Sequence, residues 1–73
     1  MYNLRDEKGT MKAKVPHDVV SIIIQQQLVT FFNDRRNKVC LRVTQDTKMF
    51  CRAGPNSSAM QVYLWEGDFL EPE

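Results

Sequence analysis

The sequence has no apolar run long enough to cross a membrane. Its longest apolar stretch is Val19-Val20-Ser21-Ile22-Ile23-Ile24, which three glutamines end, whereas a bilayer requires about 20 apolar residues. Charged residues are spread from Met1 to Lys14 with no apolar segment between them, so we expect no signal peptide. These absences predict an intracellular protein with no membrane contact.

The residues that most often carry chemistry are also scarce. Two cysteines, Cys40 and Cys51, are fewer than small disulfide-bonded secreted folds use, and with His17 they are too few for a four-ligand metal site. His17 near Ser21 lacks a third group to orient it as a general base. The three glycines are far apart, which excludes a glycine-rich phosphate loop. We therefore predict no enzyme, no cofactor and no metal.

What the chain does have is an ordinary globular composition at a small size. It contains 73 residues, 42% of them hydrophobic and 26% charged, which suits one folded domain. A domain of this size buries only about 60% of the surface of its unfolded chain. An enclosed active site would remove scarce core volume, whereas a docking surface removes little, so size favours a binding protein.

Charge is unevenly distributed although the net charge is only +1. Residues 34–53 carry six basic and two acidic side chains, and residues 54–73 carry four acidic and no basic ones. Such a distribution steers an anionic partner or is screened within the molecule. Because the overall charge is low, a protein partner is favoured over nucleic acid.

In the first half of the chain the periodicity predicts an arm, a strand and a helix. Residues 1–10 are expected to be a flexible arm, and Met11, Ala13 and Val15 alternate with lysines as in a short strand. Pro16 stops that strand and suits a helix start. The apolar spacing then predicts one helix up to about residue 32, with strands over 19–24 and 28–32 as the competing interpretation. The expected helix stripe is Val20, Ile23, Ile24, Leu28 and Phe31.

From residue 38 onward the apolar period is two, as in strands. A three-residue loop near Asp46 would pair Val43 with Cys51 and Leu41 with Ala53 in a hairpin, leaving Cys40 as a bystander on the outer face. Gly54-Pro55-Asn56-Ser57-Ser58 is a turn. A last strand then has Met60, Val62 and Leu64 inside, with Tyr63 and Trp65 outside.

The expected fold is α+β, with one helix packed on a small antiparallel sheet made of a three-stranded meander and a short N-terminal strand. Residues 11–67 form the single domain, and residues 68–73 form an acidic tail.

One group of residues is predicted to bind a partner. The outer sheet face would collect Arg42, Thr44, Phe50, Arg52, Tyr63 and Trp65. Large aromatics on an uncovered face indicate a contact surface, and Trp, Tyr and Arg are enriched among interface hot spots. Arg42, Phe50, Arg52, Tyr63 and Trp65 are therefore the candidate partner-binding residues. A single-strand nucleic-acid binder and a self-associating structural subunit are the alternatives.

Over its whole length the chain also resembles small phage-encoded RNA polymerase-binding transcription regulators, of the kind made by a lytic Xanthomonas phage. The likeness lies in the start Met-Tyr-Asn-Leu-Arg-Asp-Glu-Lys and in the stretches Gly-Pro-Asn-Ser-Ser and Tyr-Leu-Trp-Glu-Gly-Asp. It implies a protein in the cytoplasm of the infected bacterium that binds host RNA polymerase at the N-terminal region of the β′ subunit. Such a protein inhibits initiation by weakening or displacing σ, and allows read-through of terminators. The resemblance assigns no site residues.

Overall fold

The structure is a computed structural model that describes residues 1–51 and 60–73. These residues form seven strands and one helix, in an α+β arrangement. In chain order they are β1 (Tyr2–Arg5), β2 (Met11–Val15), α1 (His17–Gln25), β3 (Val29–Asn33), β4 (Val39–Val43), β5 (Thr47–Cys51), β6 (Met60–Leu64) and β7 (Phe69–Pro72).

Five of the strands form one antiparallel sheet in the order β2-β1-β7-β4-β3, and β5 and β6 pair with each other as a separate hairpin. The sheet consists of two hairpins, β1–β2 and β3–β4, joined by β7, which pairs with β1 on one side and β4 on the other. The β5–β6 hairpin is inserted in the chain between β4 and β7.

The two hairpins of the sheet turn through loops with the same hydrogen bonds. In residues 6–10 and in residues 34–38, the carboxylate of the first residue accepts backbone N–H bonds from the third and fifth residues, at 2.8 to 2.9 Å. The fourth residue has a positive φ, 88° at Gly9 and 61° at Asn37, which glycine and asparagine tolerate best. The sequence thus encodes both turns with an aspartate and a residue that accepts the left-handed conformation.

The helix is shorter than predicted. It begins after Pro16, whose carbonyl accepts the N–H groups of Val19 and Val20 at 3.1 Å, so the predicted helix start is confirmed. It ends where Gln27 adopts a φ of 60°, and Leu28 N–H bonds back to the carbonyl of Ile23 at 3.3 Å. This is the Schellman arrangement, completed by the burial of Leu28 and Ile23 together.

The prediction of one helix up to residue 32 was therefore wrong, because the chain reverses at Gln27 and continues as β3. Both competing interpretations were half right: residues 19–24 are helical and residues 29–33 are a strand. Phe31, expected in the helix stripe, is exposed in β3.

The core lies between the sheet, the helix and the β5–β6 hairpin. One row of side chains across the sheet consists of Leu4, Leu70 and Leu41, which are opposite one another in register and buried. The helix and the hairpin cover this face with their own apolar side chains. The core residues are Leu4, Val15, Val19, Val20, Ile23, Leu28, Leu41, Val43, Val62, Leu64 and Leu70.

Of the predicted three-stranded meander, the last two strands pair with each other as β5 and β6, but the first, β4, belongs to the larger sheet. Val43 pairs with Val29, Leu41 pairs with Phe31 and Leu70, and Cys51 pairs with Met60, so both predicted partners across β4 and β5 were wrong. Val43 N–H donates to the Asp68 carbonyl and Gly67 N–H to the Val43 carbonyl. The chain segment entering β7 thereby takes the side of β4 that β5 was expected to occupy.

The two ends of the chain form strands where an arm and a tail were predicted. Tyr2–Arg5 is β1, and Phe69–Pro72 is β7, in the middle of the sheet. Glu73 N–H donates to the carbonyl of Met1 at 3.1 Å. The short strand over residues 11–15 and the inner positions of Val62 and Leu64 are confirmed.

Candidate functional site

The outer side of the β5–β6 hairpin carries three exposed aromatic side chains, Phe50, Tyr63 and Trp65, which we call the hairpin surface. Their exposed fractions are 73%, 48% and 56%. The pairing of Met49 with Val62 places those two side chains on the inner side, against the core. Because side chains alternate along a strand, Phe50 and Tyr63 then lie on the outer side. The predicted exposure of all three aromatics is confirmed.

An open groove of about 300 Å³ lies beside these rings. Its lining is formed by Asp46, Thr47, Lys48, Tyr63, Leu64 and Trp65. The Lys48 ammonium lies 5.4 Å from the centroid of the Tyr63 ring, within the range of a cation–π contact. The lining of the groove therefore includes two aromatic rings, one cation and one carboxylate.

The backbone that presents Trp65 is fixed by a buried carboxylate, Asp68. This side chain accepts the Trp65 N–H at 3.2 Å and the Lys12 ammonium at 2.7 Å, and the residue is 3% exposed. Asp68 N–H in turn donates to the Trp65 carbonyl at 3.0 Å. Gly67, between them, has a φ of 94°, which favours glycine. Sequence reasoning missed Asp68 because it was counted as part of an acidic tail.

Carboxylates predominate in the surroundings of Trp65. Asp46 accepts the Glu66 N–H at 2.7 Å on one side of the indole. On another side is a second open depression of about 280 Å³. Its lining consists of Asp6, Glu7, Lys8, Trp65, Glu66 and Asp68. The aromatic surface thus has a predominantly acidic border in the described part of the chain.

Arg42 does not lie on the hairpin surface, which corrects the prediction that it shares a face with Tyr63 and Trp65. It is in β4 of the larger sheet, opposite Phe69 in register. Its guanidinium carbon is 4.5 Å from the Phe32 ring centroid and 6.0 Å from that of Phe69. We call Phe32, Arg42 and Phe69 the sheet surface. Arg42 also donates to the Gly67 carbonyl at 3.1 Å, so its hydrogen bonding and ring contacts serve the fold.

Thr44, also named from the sequence, is separate from the hairpin surface. Thr44 donates through its hydroxyl to the Leu28 carbonyl at 3.1 Å, which ties the end of β4 to the start of β3. Arg52, predicted to bind a partner, is outside the described residues, as is the predicted turn at residues 54–58.

Cys40 is buried, so its prediction as a bystander on the outer face was wrong. The residue faces away from the main core and is opposite Phe32 in register, with no exposed surface. Burial raises the pKa of the Cys40 thiol, and the nearby carboxylates of Asp34 and Glu71 raise it further. A thiol that is buried and neutral is a poor nucleophile.

His17 is exposed at the start of α1, as predicted. Its Nε2 lies 3.0 Å from the amino group of Met1, and its ring meets that of Tyr2 edge to face with centroids 5.3 Å apart. No group of three or more potential metal ligands occurs within residues 1–51 and 60–73. The nine-residue α1, the only helix described, is too short to cross a membrane.

Comparison of the chain with protein-family models, curated proteins and solved structures finds no match. The resemblance to phage transcription regulators therefore stays a prediction, and the geometry of the molecule is the basis for the proposals that follow.

Proposed function

We propose that this protein acts by docking on bacterial RNA polymerase and inhibiting transcription, with the hairpin surface as its anchor. The observation that carries the docking part of the proposal is the grouping of Phe50, Tyr63 and Trp65, each about half exposed or more, on one side of a hairpin. The polymerase, the N-terminal region of its β′ subunit as the contact and the bacterial cytoplasm as the location come from the resemblance.

The energetic reasoning begins with the aromatic rings. Large apolar side chains exposed together are unfavourable in water, and their burial on a partner is the main driving force of association. Tryptophan and tyrosine contribute most per residue in such interfaces. Trp65 is the strongest anchor here, because the bonds of Asp68 hold its backbone before binding, which lowers the entropy lost on docking.

The charges around the rings indicate the chemistry of the partner. Asp46, Glu66 and Glu7 border Trp65, so the contacted element would present apolar side chains flanked by lysine or arginine. Arg42 and Arg52, which the sequence also predicted to bind a partner, would require the opposite polarity, with carboxylates on the polymerase. Arg42 is already engaged with Phe32, Phe69 and Gly67, so we assign no partner contact to it.

The proposed mode of action is stoichiometric. A small domain bound to the β′ region that σ also needs would weaken or displace σ, and initiation at host promoters would fall. Terminator read-through would follow if the same docked protein stays on elongating polymerase. Neither step requires the small protein to catalyse a reaction, so we propose a non-enzymatic regulator.

The experiment that tests this proposal is capture of core polymerase by the tagged protein from nuclease-treated bacterial lysate, followed by titration with purified core enzyme. We expect Trp65→Ala to weaken binding roughly 30-fold or more, because truncating a central aromatic anchor costs about 2–4 kcal/mol. The matched control is Met11→Ala, which shortens another exposed apolar side chain outside the hairpin surface and should bind normally.

A folded Trp65→Ala protein that binds polymerase normally would exclude the hairpin surface as the anchor. Failure of the unsubstituted protein to retain polymerase would exclude the polymerase itself. Retention that disappears after nuclease treatment would favour the nucleic-acid alternative. In that case quenching of Trp65, the single tryptophan, by oligonucleotides should fall steeply with salt.

A further inference from the structure

The two edge strands of the five-stranded sheet differ in how they are protected. The β2 edge carries Lys12 and Lys14, which form ion pairs with Asp68 and Glu73 at 2.7 and 2.9 Å. Lysines on an edge prevent another strand from adding to it. The β3 edge, Val-Thr-Phe-Phe-Asn over residues 29–33, contains no charged residue at all. The molecule thus protects one edge and leaves the other suited to pairing.

The hydrogen bonds between β3 and β4 show which backbone N–H and C=O groups of β3 point away from β4. Thr44 N–H donates to the Leu28 carbonyl and Asp34 N–H to that of Lys38. Since bonded positions alternate along an antiparallel pair, residues 30 and 32 face β4 and residues 29, 31 and 33 face away from it. Among residues 1–51 and 60–73, no strand pairs with this outer edge.

Apolar side chains accompany these backbone groups. Phe31 is 66% exposed and Val39 is 54% exposed. Phe31 is opposite Leu41, and Val39 is opposite Asn33, so Phe31 and Val39 lie on the same face of the hairpin. Phe31 is on the edge strand itself, so an added strand would find an apolar contact beside its hydrogen-bond partners, whereas Val39 lies one strand further in, on β4.

The loop next to this edge is basic. Arg35, Arg36 and Lys38 are exposed, and within the described chain they form no ion pair. The only carboxylate of the loop, that of Asp34, accepts the backbone N–H groups of Arg36 and Lys38. The other hairpin loop of the sheet has the same hydrogen bonds, yet it carries Glu7 and a single lysine in the corresponding positions. Turn geometry therefore does not explain three cations at residues 35–38.

From these observations we infer that β3 and its basic loop form a second docking surface, which binds an extended acidic segment of a protein by strand addition. The backbone of that segment pairs with residues 29, 31 and 33, and an apolar side chain of the segment contacts Phe31. Its carboxylates lie near Arg35 and Arg36. Strand addition of this kind takes affinity from the main chain and specificity from alternate side chains.

The same features argue against the two other occupants of an open edge. A second copy pairing antiparallel through β3 would place Arg35 and Arg36 beside the glutamines at residues 25–27, with no charge complementarity. A nucleic acid could contact the arginines, but it has no strand backbone to pair with residues 29, 31 and 33. An acidic polypeptide supplies a backbone to pair with the edge, apolar side chains to contact Phe31 and carboxylates to lie near the arginines.

The test is a titration of the ¹⁵N-labelled protein with an eight-residue peptide of alternating glutamate and valine, followed by amide chemical shifts. We expect the largest shifts, and new protection from hydrogen exchange, at Val29, Phe31 and Asn33. The same peptide with its valine nitrogens methylated should not bind, because a valine opposite Phe31 donates through its own N–H to the edge. A peptide of alternating lysine and valine should bind at least tenfold more weakly.

Two variants with matched controls test the protein side. Arg35→Glu combined with Arg36→Glu should weaken binding about tenfold, the effect of reversing two exposed charge contacts. Lys8→Glu is its control, because Lys8 occupies in its loop the place that Arg36 occupies in the other. Phe31→Glu removes the apolar contact and places a negative charge beside the acidic segment, so it should also weaken binding, whereas Met11→Glu on the β2 edge should have no effect.

Binding that survives backbone methylation, or shifts centred away from β3, would overturn the inference. It would also be overturned by a dimer in sedimentation equilibrium that Phe31→Glu dissociates, since the edge would then serve a second copy. Tighter binding of a polyanionic oligonucleotide than of the peptide, mapped to the same loop, would assign the surface to nucleic acid. These outcomes do not depend on the hairpin surface, which Trp65→Ala tests separately.

Discussion

The sheet surface and the hairpin surface use similar residue types with different results. On the sheet surface Phe32 and Phe69 meet edge to face with centroids 6.1 Å apart, and the Arg42 guanidinium lies within 6.0 Å of both. On the hairpin surface Lys48 approaches one ring, that of Tyr63. Phe50 and Trp65 stay largely exposed. On the sheet surface the rings are thus contacted by a cation of the same molecule. On the hairpin surface apolar area stays exposed and can be buried by a partner.

This difference shows how little composition says about the role of an aromatic cluster. Both surfaces combine rings with a basic residue, but only the arrangement in space shows whether the cation lies between the rings or at one side. A planar guanidinium that also donates to the Gly67 carbonyl stabilises the fold. An ammonium beside a single tyrosine leaves the neighbouring rings free.

The largest expected effect concerns the carboxylate behind the hairpin surface. Asp68→Ala should lower the free energy of unfolding by about 3 kcal/mol, because it leaves the Trp65 N–H and the Lys12 ammonium without their partner. Urea denaturation followed by circular dichroism measures this loss. The control is Asp46→Ala, which removes an exposed carboxylate with one backbone contact and should cost about 1 kcal/mol or less. Equal losses in the two variants would show that Asp68 has no special role in presenting Trp65.

An intermediate effect should separate the two surfaces directly. Phe32→Ala should lower the free energy of unfolding by roughly 2 kcal/mol, less than for a fully buried phenylalanine. Phe50→Ala, at a ring that is mostly exposed, should change it by less than about 0.5 kcal/mol.

Phe32→Ala should also change the reactivity of Cys40, which is opposite Phe32 in register. Burial raises the pKa of this thiol, so alkylation of Cys40 in the native protein should be slow near neutral pH. Site-resolved alkylation, read by peptide mass, should become faster in Phe32→Ala and stay slow in Phe50→Ala. Unchanged alkylation in Phe32→Ala would mean that the ring does not cover the thiol.

The smallest expected effect is the loss of stability when the cation of either surface, Arg42 or Lys48, is replaced. Arg42→Met keeps an aliphatic side chain but removes the ring contacts and the bond to the Gly67 carbonyl, and should cost about 1 kcal/mol of stability. Lys48→Met should cost only about 0.5 kcal/mol, because the ammonium contacts one exposed ring. Thermal unfolding of the pair at low and high salt would measure both. A larger loss for Lys48→Met would reverse the assignment of structural and contact roles.

The sequence predicted correctly those elements that neighbouring residues alone determine. The alternation of Met11, Ala13 and Val15 gave β2, and Pro16 gave the start of α1. The end of α1 was missed because the left-handed position is Gln27, a residue type that rarely marks it, while glycine usually does. The apolar spacing continued past Gln27, so α1 and β3 were predicted together as a single helix.

Strand partners were missed because their cause is not local. Nothing near Asn3 or Glu71 in the sequence indicates that they are opposite each other in β1 and β7. Arg42 and Tyr63 were placed on one face because period-two patterns on both strands matched a single meander. In the molecule β4 and β6 belong to different sheets, so the candidate site lost Arg42 but kept Phe50, Tyr63 and Trp65 together.

The central position of β7 has a consequence for how the protein is made. Residues 69–72 are synthesised after every other strand, yet they separate β1 from β4. On the ribosome the two sheet hairpins can form before β7 but cannot be joined through it, and a hairpin by itself is marginal in water. The sheet becomes continuous after residues 69–72 have emerged from the ribosome, so its folding follows translation of this segment. Contacts between residues this far apart in sequence also slow the closing step.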